Sequence, residues 1–577
     1  MQGRRVPAAL AIAAVIALAI TLHALQLAGV RRVSHDDTIS YLSATGHQGE
    51  FQQVVDTGSA PVAQWVSASR WQAYTRIDDP LPLLRIAQDL GHHDIHPPLY
   101  FWVLHVWALL VGVHLWTGPA LNMLLHVVTA VVLWRMARRV FGAALPAWAV
   151  TGIWATLPAV AQTVVSTRQY SMAGLWSVAF ATAYLRTRQQ PSLRGLLAVG
   201  ASTALGMLTL YPFGFVVAGL GMVCLLDLAS ADRRGAALRQ IGAIIAGGVV
   251  FLACQPWLRE ALARQQEQAE PYTAERMVLR ARVLLRELPQ FAISDLRPAS
   301  AIAVLGVAVV LAALAWRARP GARPLVWLAV WVPGVMSVAY LAALSPGAAY
   351  EPRYFSIALP YLAFLPVLAW PYLKARPVAV VAAAMFVTAA IVNVVSLAEV
   401  ARRPPAVTLE GPQPVVLDNL ARGVLLRILW DAPPQLPVFA ADQLTLLRTT
   451  SRWLRCAEEL PCHKRPLVLA TQVQYEATAA GRTAILREAA EVRKVTVAPA
   501  IDEIADRYRL SAPIAATARR SSLSSVALIH NGADWRSPST MMQSRTSARN
   551  PAAAASAGYG AEGVKLSSRA RYQNSVQ

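Results

Sequence analysis

Apolar runs recur along this chain at about 6–30, 99–116, 119–134, 143–165, 170–185, 195–210, 213–230, 240–257, 299–316, 324–343, 354–373 and 377–398. Most approach or exceed the roughly 20 residues with which a helix crosses a bilayer core. The basic residues between them are unevenly shared. Arg4 and Arg5 precede the first run, and Arg135, Arg138 and Arg139 follow the run at 119–134. Later clusters are Arg186, Arg188 and Arg194, then Arg233, Arg234 and Arg239, then Arg317, Arg319 and Arg323, then Lys374 and Arg376. Lys and Arg collect in the cytoplasmic loops of membrane proteins. All of these clusters fall on one side if 99–116 lies in the interface, or re-enters, instead of crossing. Its tryptophans and histidines suit the headgroup level, where such rings are enriched. The pattern predicts a polytopic α-helical membrane protein with about 11 transmembrane helices plus interfacial helices. The N-terminus is then inside, and the C-terminal region outside. Loop 259–298 mixes acids and arginines with leucines and predicts a surface helix.

Beyond about residue 400 the pattern becomes that of a soluble domain. PVVLDN (414–419), PVFAA (437–441) and PLVLAT (466–471) read as short buried strands, with KVTVA (494–498) as a fourth. Helical stretches near 420–430, 442–457 and 481–492 alternate with them, which favours a small parallel sheet. The expected organisation is a transmembrane domain over 1–400, whose external loop 31–118 carries the polar motifs. A small C-terminal α/β domain follows over 401–534, and then a basic tail over 535–577, rich in Ser, Ala and Arg, that reads as disordered.

Composition agrees with this division. The 577 residues are 55% hydrophobic and only 15% charged, with mean hydropathy +0.41. Soluble domains carry about 25% charged residues. The net charge of +21 would suit a nucleic-acid partner, but the arginines sit between membrane runs and no nucleic-acid module is visible. Four cysteines are too few for a disulfide scaffold, although Cys456 and Cys462 can form one short bridge if their region lies outside the cytoplasm.

The topology places three polar stretches on the external face: RRVSHDDTISYL, STRQY and AAYEPRYF. In the first, Asp36 and Asp37 are adjacent carboxylates, which repel unless a cation, a donor or water is near. One of them can serve as a general base toward an acceptor hydroxyl; equally, SHDD is good N-cap chemistry. In HHDIHPPLYFW, Pro97 and Pro98 start an interfacial helix whose N-terminal N–H groups attract anions. His96 is thus a candidate phosphate contact, and His92 with Asp94 a candidate metal site. Arg168 with Tyr170, and Glu351 with Arg353 and Tyr354, can clamp an anion or bind lipid headgroups.

In this order the motifs resemble those of the GT-C superfamily of membrane glycosyltransferases. HDDTISYL, HPPLYFW, ALNMLLHVVTAVVLWRMARRVFG, STRQYSMAGL and EPRYFSIALPYLAFL carry the resemblance, over roughly residues 1–400. It is closest to the bacterial family 39-like branch, related to protein O-mannosyltransferases and to lipid A aminoarabinose and galacturonic acid transferases. The resemblance implies an inverting transferase. It would use a polyprenyl-phosphate sugar donor and a lipid, glycan or protein acceptor, at the periplasmic face of a bacterial inner membrane. It implies that Asp36 is the base, where the family usually has Asp-Glu and this chain has Asp36-Asp37. Donor-phosphate contacts would come from His96, Arg168, Arg353, Tyr170 and Tyr354. No cofactor is required; a divalent metal at His92 and Asp94 is the one addition left open. Membrane lipids are the other expected partners. A transporter or flippase of envelope precursors is the competing reading. Transporters gather ionisable residues at the bilayer midplane, whereas here they gather at the surfaces.

Overall fold

The computed structural model describes residues 32–267, 273–287, 298–342, 352–369, 412–472, 478–501 and 505–513, with isolated positions between them. The apolar runs at 6–30 and 377–398, Glu351 and the tail 535–577 lie outside the described residues, apart from two positions in the first run. The chain forms two compact units, Met1–Glu50 with Tyr74–Pro405, and Phe51–Ala73 with Ala406–Gln577.

The first unit is helical. Its elements, in order, are α1 (His35–Ala44), α2 (Leu83–His93), α3 (Leu99–Val111), α4 (Thr117–Phe141), α5 (Ala144–Ala155), α6 (Pro158–Val165) and α7 (Tyr170–Gln189). There follow α8 (Leu193–Thr209), α9 (Gly214–Leu228), α10 (Ala231–Cys254), α11 (Leu258–Glu267), α12 (Ala274–Glu287), α13 (Pro298–Ala318) and α14 (Arg323–Leu341). Among the described residues four helices are long and apolar enough to cross a membrane, or five if the bent pair α5–α6 is one span. α10 shows why such helices need lipid. Leu238, Ile245, Val249, Val250 and Leu252 are all exposed on it, an apolar surface far beyond what water tolerates on one helix. Small residues set the helix spacing. A Cβ on Gly247 would lie 2.3 Å from the Gly200 carbonyl oxygen, so α8 and α10 approach as closely as backbones can, as membrane interfaces favour.

Three of the apolar runs are not single spanning helices. α3 has 13 residues, about 20 Å of helix against the roughly 30 Å of a hydrocarbon core. The run at 143–165 bends by 63°, where Pro158 opens α6 after the extended Leu157. The run at 354–373 is not one helix. It breaks into a 3-10 turn, Pro352–Ile357, and short helices Leu359–Leu362 and Phe364–Ala369. Pro352, Pro360 and Pro366 remove the amide protons that a continuous helix needs. Loop 259–298 holds two helices, α11 and α12.

α7 is the spine of this unit. Tyr170, Phe180 and Tyr184 are buried along it. Ser177 donates to the Ile357 carbonyl at 2.6 Å, and Tyr361 donates to the Ser177 carbonyl at 2.7 Å. These bonds fix the 352–362 segment against α7. The helix has 20 residues, about 30 Å of rise, so its two ends stand roughly one bilayer core apart.

The second unit contains a six-stranded sheet in the order β1-β3-β2-β4-β6-β5, with β1 (Trp65–Ser67), β2 (Val415–Leu417), β3 (Pro437–Ala440), β4 (Leu467–Gln472), β5 (Arg493–Ile501) and β6 (Ala505–Pro513). The sheet is mixed, not wholly parallel. β2 runs parallel to β3 and β4, while β1 is antiparallel to β3 and β6 is antiparallel to β4 and β5. β5 returns directly into β6 as a hairpin, which requires no crossover helix. β1 comes from the middle of the first loop. Residues 51–73 therefore group with this unit, and Phe51 and Trp71 meet edge to face with centroids 6.1 Å apart. Cys456 and Cys462 are joined by a disulfide.

Candidate active site

The stretch SHDD does two different jobs. Ser34 is the N-cap of α1: its hydroxyl accepts the Asp37 N–H at 3.1 Å, and the Asp37 carboxylate accepts the Ser34 N–H at 3.0 Å. This reciprocal capping box consumes one oxygen of Asp37. Its other oxygen accepts the Thr167 N–H, which ties α1 to the segment between α6 and α7. That approach depends on Gly118, where a Cβ would lie 2.1 Å from the Thr167 methyl. Tyr41 completes the joint, accepting the Gly118 N–H at 2.8 Å and donating to the His114 carbonyl at 3.0 Å.

With Asp37 held in the cap, Asp36 turns to cations. Its Oδ1 accepts from Arg168 Nη2 at 2.9 Å, and its Oδ2 from Arg353 Nη2 at 2.6 Å. The three side chains are 24%, 8% and 18% exposed for Asp36, Arg168 and Arg353, so solvent screens them little. Burial alone would raise the Asp36 pKa, but Arg168 and then Arg353 outweigh it and hold the carboxyl well below the usual carboxylate range. Each arginine engages only one carboxylate oxygen. Arg168 Nε is buried with no hydrogen-bond partner among the described residues. Asp36 thus meets two guanidiniums, and the Arg168 Nε–H remains available for an incoming oxyanion.

Aromatic rings position Arg353. Its guanidinium lies 5.7 Å from the Tyr170 centroid and 6.0 Å from that of Tyr354, and the two rings pack 5.7 Å apart. His96 reaches the cluster through Gln169, whose amide lies 3.1 Å from His96 Nδ1. Its ring stacks on Phe101 at 6.3 Å, and its Nε2 lies 3.8 Å from Asp94. Asp94 itself accepts the Ile95 N–H at 2.7 Å and the Gln48 amide at 3.3 Å.

Asp36, Arg168, Arg353, Tyr170 and Tyr354 thus come together, and His96 bonds to Gln169, the residue between Arg168 and Tyr170. His92 instead packs edge-on against Trp257, with centroids 6.2 Å apart. Among the described residues no three His, Cys, Asp or Glu side chains form a group that could hold a metal ion, so His92 and Asp94 have no third ligand. Gln169 and Asn122 escape a search of the sequence for charge. Asn122 accepts from Tyr100 at 3.3 Å and donates to the Ser166 carbonyl, fixing the strand of chain that presents Arg168. The clue to Gln169 is its place between Arg168 and Tyr170.

Residues 95–259 match the family described as dolichyl-phosphate-mannose-protein mannosyltransferase. No curated protein matches the chain. Among solved structures, ArnT from Cupriavidus metallidurans bound to undecaprenyl phosphate is similar at 14% identity and TM-score 0.48, over 86% of this chain and 97% of that one. The Archaeoglobus fulgidus oligosaccharyltransferase AglB, in complex with an inhibitory peptide and a dolichol-phosphate, is similar at 9% identity and TM-score 0.44, over 85% and 74%. The family match spans HPPLYFW and STRQYSMAGL, two of the segments that meet around Asp36. With HDDTISYL before them and EPRYFSIALPYLAFL after them, the chain is a multi-pass membrane protein whose residues 95–259 match this glycosyltransferase family.

Proposed function

We propose that this glycosyltransferase moves a sugar from a polyprenyl-phosphate donor to a lipid, glycan or protein acceptor, inverting the anomeric centre, at the periplasmic face of a bacterial inner membrane crossed by eleven helices. The observation that carries this reading is the convergence of Asp36, Arg168 and Arg353 from three sequence-remote segments. The matched family supports a lipid-phosphate-linked donor through its description. The Cys456–Cys462 disulfide supports an oxidising compartment.

In the unliganded protein Asp36 takes an N–H from each arginine, and a carboxylate so clamped is a weak base. The donor phosphate competes for the same guanidiniums. As it takes them, Asp36 loses its cationic partners, and its proton affinity rises toward that of an ordinary buried carboxylate. The acceptor hydroxyl then attacks the anomeric carbon, and Asp36 takes its proton. The bond from that carbon to the phosphate oxygen breaks, and the lipid phosphate leaves with the electron pair. Arg168 and Arg353 stabilise the charge that develops on it, and His96, oriented by Gln169, lies close enough to assist. General-base help of this kind contributes about 10²–10⁴-fold. Alignment of donor and acceptor contributes about 7–11 kcal/mol.

The test is transfer of label from a radiolabelled polyprenyl-phosphate sugar by the full-length protein in proteoliposomes, with envelope lipids and glycans as acceptors. Labelled acceptor of inverted configuration is expected. Turnover of a nucleotide sugar in place of the lipid-linked one would contradict the reading.

A further inference from the structure

The end of the helical unit away from Asp36 carries a second feature, independent of the transfer site. A cavity of about 370 Å³ opens where the C-terminal turns of α4, α7 and α13 meet. Its apolar floor includes Met136 and Leu185, and its polar side Arg139, Arg319 and Gln189; among the described residues no Asp or Glu lines it. The volume falls in the range of small-molecule sites. Its α7 residues, from Thr182 to Gln189, stand about 18–28 Å along the helix from Tyr170, at the site's end.

The two arginines differ in how they are held. Arg319 donates one N–H to the Val140 carbonyl at 2.7 Å and lies 5.2 Å from the Phe141 centroid, which anchors its guanidinium at the cavity. Arg139 has no hydrogen bond or ion pair among the described residues, and it is exposed. A plainer role for these cations is to balance helix dipoles. Three helix C-termini meet here, each worth about half a negative charge. Arg138, Arg139, Arg317 and Arg319 all belong to those turns or follow them directly, and four full charges exceed that demand. A cavity with an apolar floor, two guanidiniums and no carboxylate selects an anion that has an apolar flank.

We propose that this cavity binds a phosphate-bearing anion, with the phosphate between Arg139 and Arg319 and an apolar portion against Met136 and Leu185. A phospholipid headgroup or a soluble phosphate would both supply that chemistry. The test uses native mass spectrometry of the full-length protein in detergent. It is titrated separately with phosphatidylglycerol, phosphatidylcholine and inorganic phosphate, and compared with the Arg139→Gln/Arg319→Gln double variant. Wild-type protein is expected to hold one phosphatidylglycerol that the variant binds on the order of 10- to 30-fold more weakly. Binding of zwitterionic phosphatidylcholine should be alike in both. Displacement of that lipid by millimolar inorganic phosphate would assign the site to soluble phosphates; failure to displace it would assign the site to the headgroup. A variant should that not fold leaves a second readout on the wild-type protein. Phenylglyoxal modification of Arg139, read by peptide mass spectrometry, should slow several-fold when phosphatidylglycerol or inorganic phosphate is present. Equal lipid binding by both proteins, or an Arg139 modification rate that neither ligand changes, would overturn the proposal.

Discussion

The two ends of α7 carry the same charge inventory, one aspartate and two arginines, arranged differently. At the C-terminal end Arg188 grips Asp227 as a fork, with Nε to Oδ2 at 2.6 Å and Nη2 to Oδ1 at 2.8 Å, and Arg233 adds a contact at 3.2 Å. These partners are 39 and 6 residues from Asp227. At the N-terminal end Asp36 divides its oxygens between Arg168 and Arg353, which are 132 and 317 residues away. A fork closes a bridge, because both carboxylate oxygens and the matching N–H groups satisfy each other. The divided clamp leaves Arg168 Nε with no hydrogen-bond partner among the described residues. A doubly paired aspartate is therefore no sign of catalysis in itself. What distinguishes Asp36 is the open geometry and the distance along the chain over which its partners were gathered.

Exchanging the aspartates for asparagine probes that contrast most strongly. Asp36→Asn should lower transfer by about 10²–10⁴-fold, with normal membrane insertion. Asp227→Asn should lower thermal stability by roughly 3 kcal/mol, as loss of one partner of a buried bridge does, with turnover per folded molecule retained. Equal losses of turnover would erase the distinction. The arginines come next. Arg353→Ala should raise the donor KM by about tenfold, the equivalent of one charge-assisted contact, and leave the acceptor KM in place. Arg233→Ala should change neither KM, since that side chain is 55% exposed and exposed pairs contribute little.

A smaller effect lies in pH dependence. Asp36 has a folded pKa depressed below its unfolded value, about 3.9. The stabilisation from its clamp is therefore present above that value and lost as pH falls through the folded pKa. In the unliganded protein Asp36 stays ionised above about pH 5, so it sets no acid limb on kcat/KM for the donor in that range. Once the donor phosphate has taken the arginines, the acid limb of kcat should lie at higher pH. Coincident limbs in the two profiles would count against the exchange of partners. The last effect, at Asp37, is on stability alone. Asp37→Ala should cost about 1–3 kcal/mol of stability, because it removes half of the capping box and leaves the Thr167 N–H unpaired, seen as a fall in melting temperature.

Much of the site could be read along the chain, because sidedness does the sorting. Basic clusters predict one face for HDDTISYL, STRQY and EPRYF, and in the structure Asp36, Arg168 and Arg353 from these segments meet. What it leaves open is local. SHDD permits both a cap and a base, and only the capping box with Ser34 separates Asp37 from Asp36. Gln169 and Asn122 are uncharged, and their contacts are long-range, so no periodicity marks them. The helix breaks at Pro352, Pro360 and Pro366 were visible residue by residue, yet mean hydropathy smooths over them. The β1 strand is three residues long. It pairs with a partner more than three hundred positions away, where local propensity is weakest as a guide.

The measurement closest to the central claim is donor affinity in Asp36→Asn. If Asp36 and the lipid phosphate compete for Arg168 and Arg353, removing the carboxylate charge removes the ion partner that the two guanidiniums share. Binding of a polyprenyl phosphate to the full-length variant, followed by native mass spectrometry, should then be tighter than to the wild-type protein, while sugar transfer is lost. Weaker binding accompanied by transfer at the wild-type rate would show that the lipid phosphate does not exchange places with Asp36.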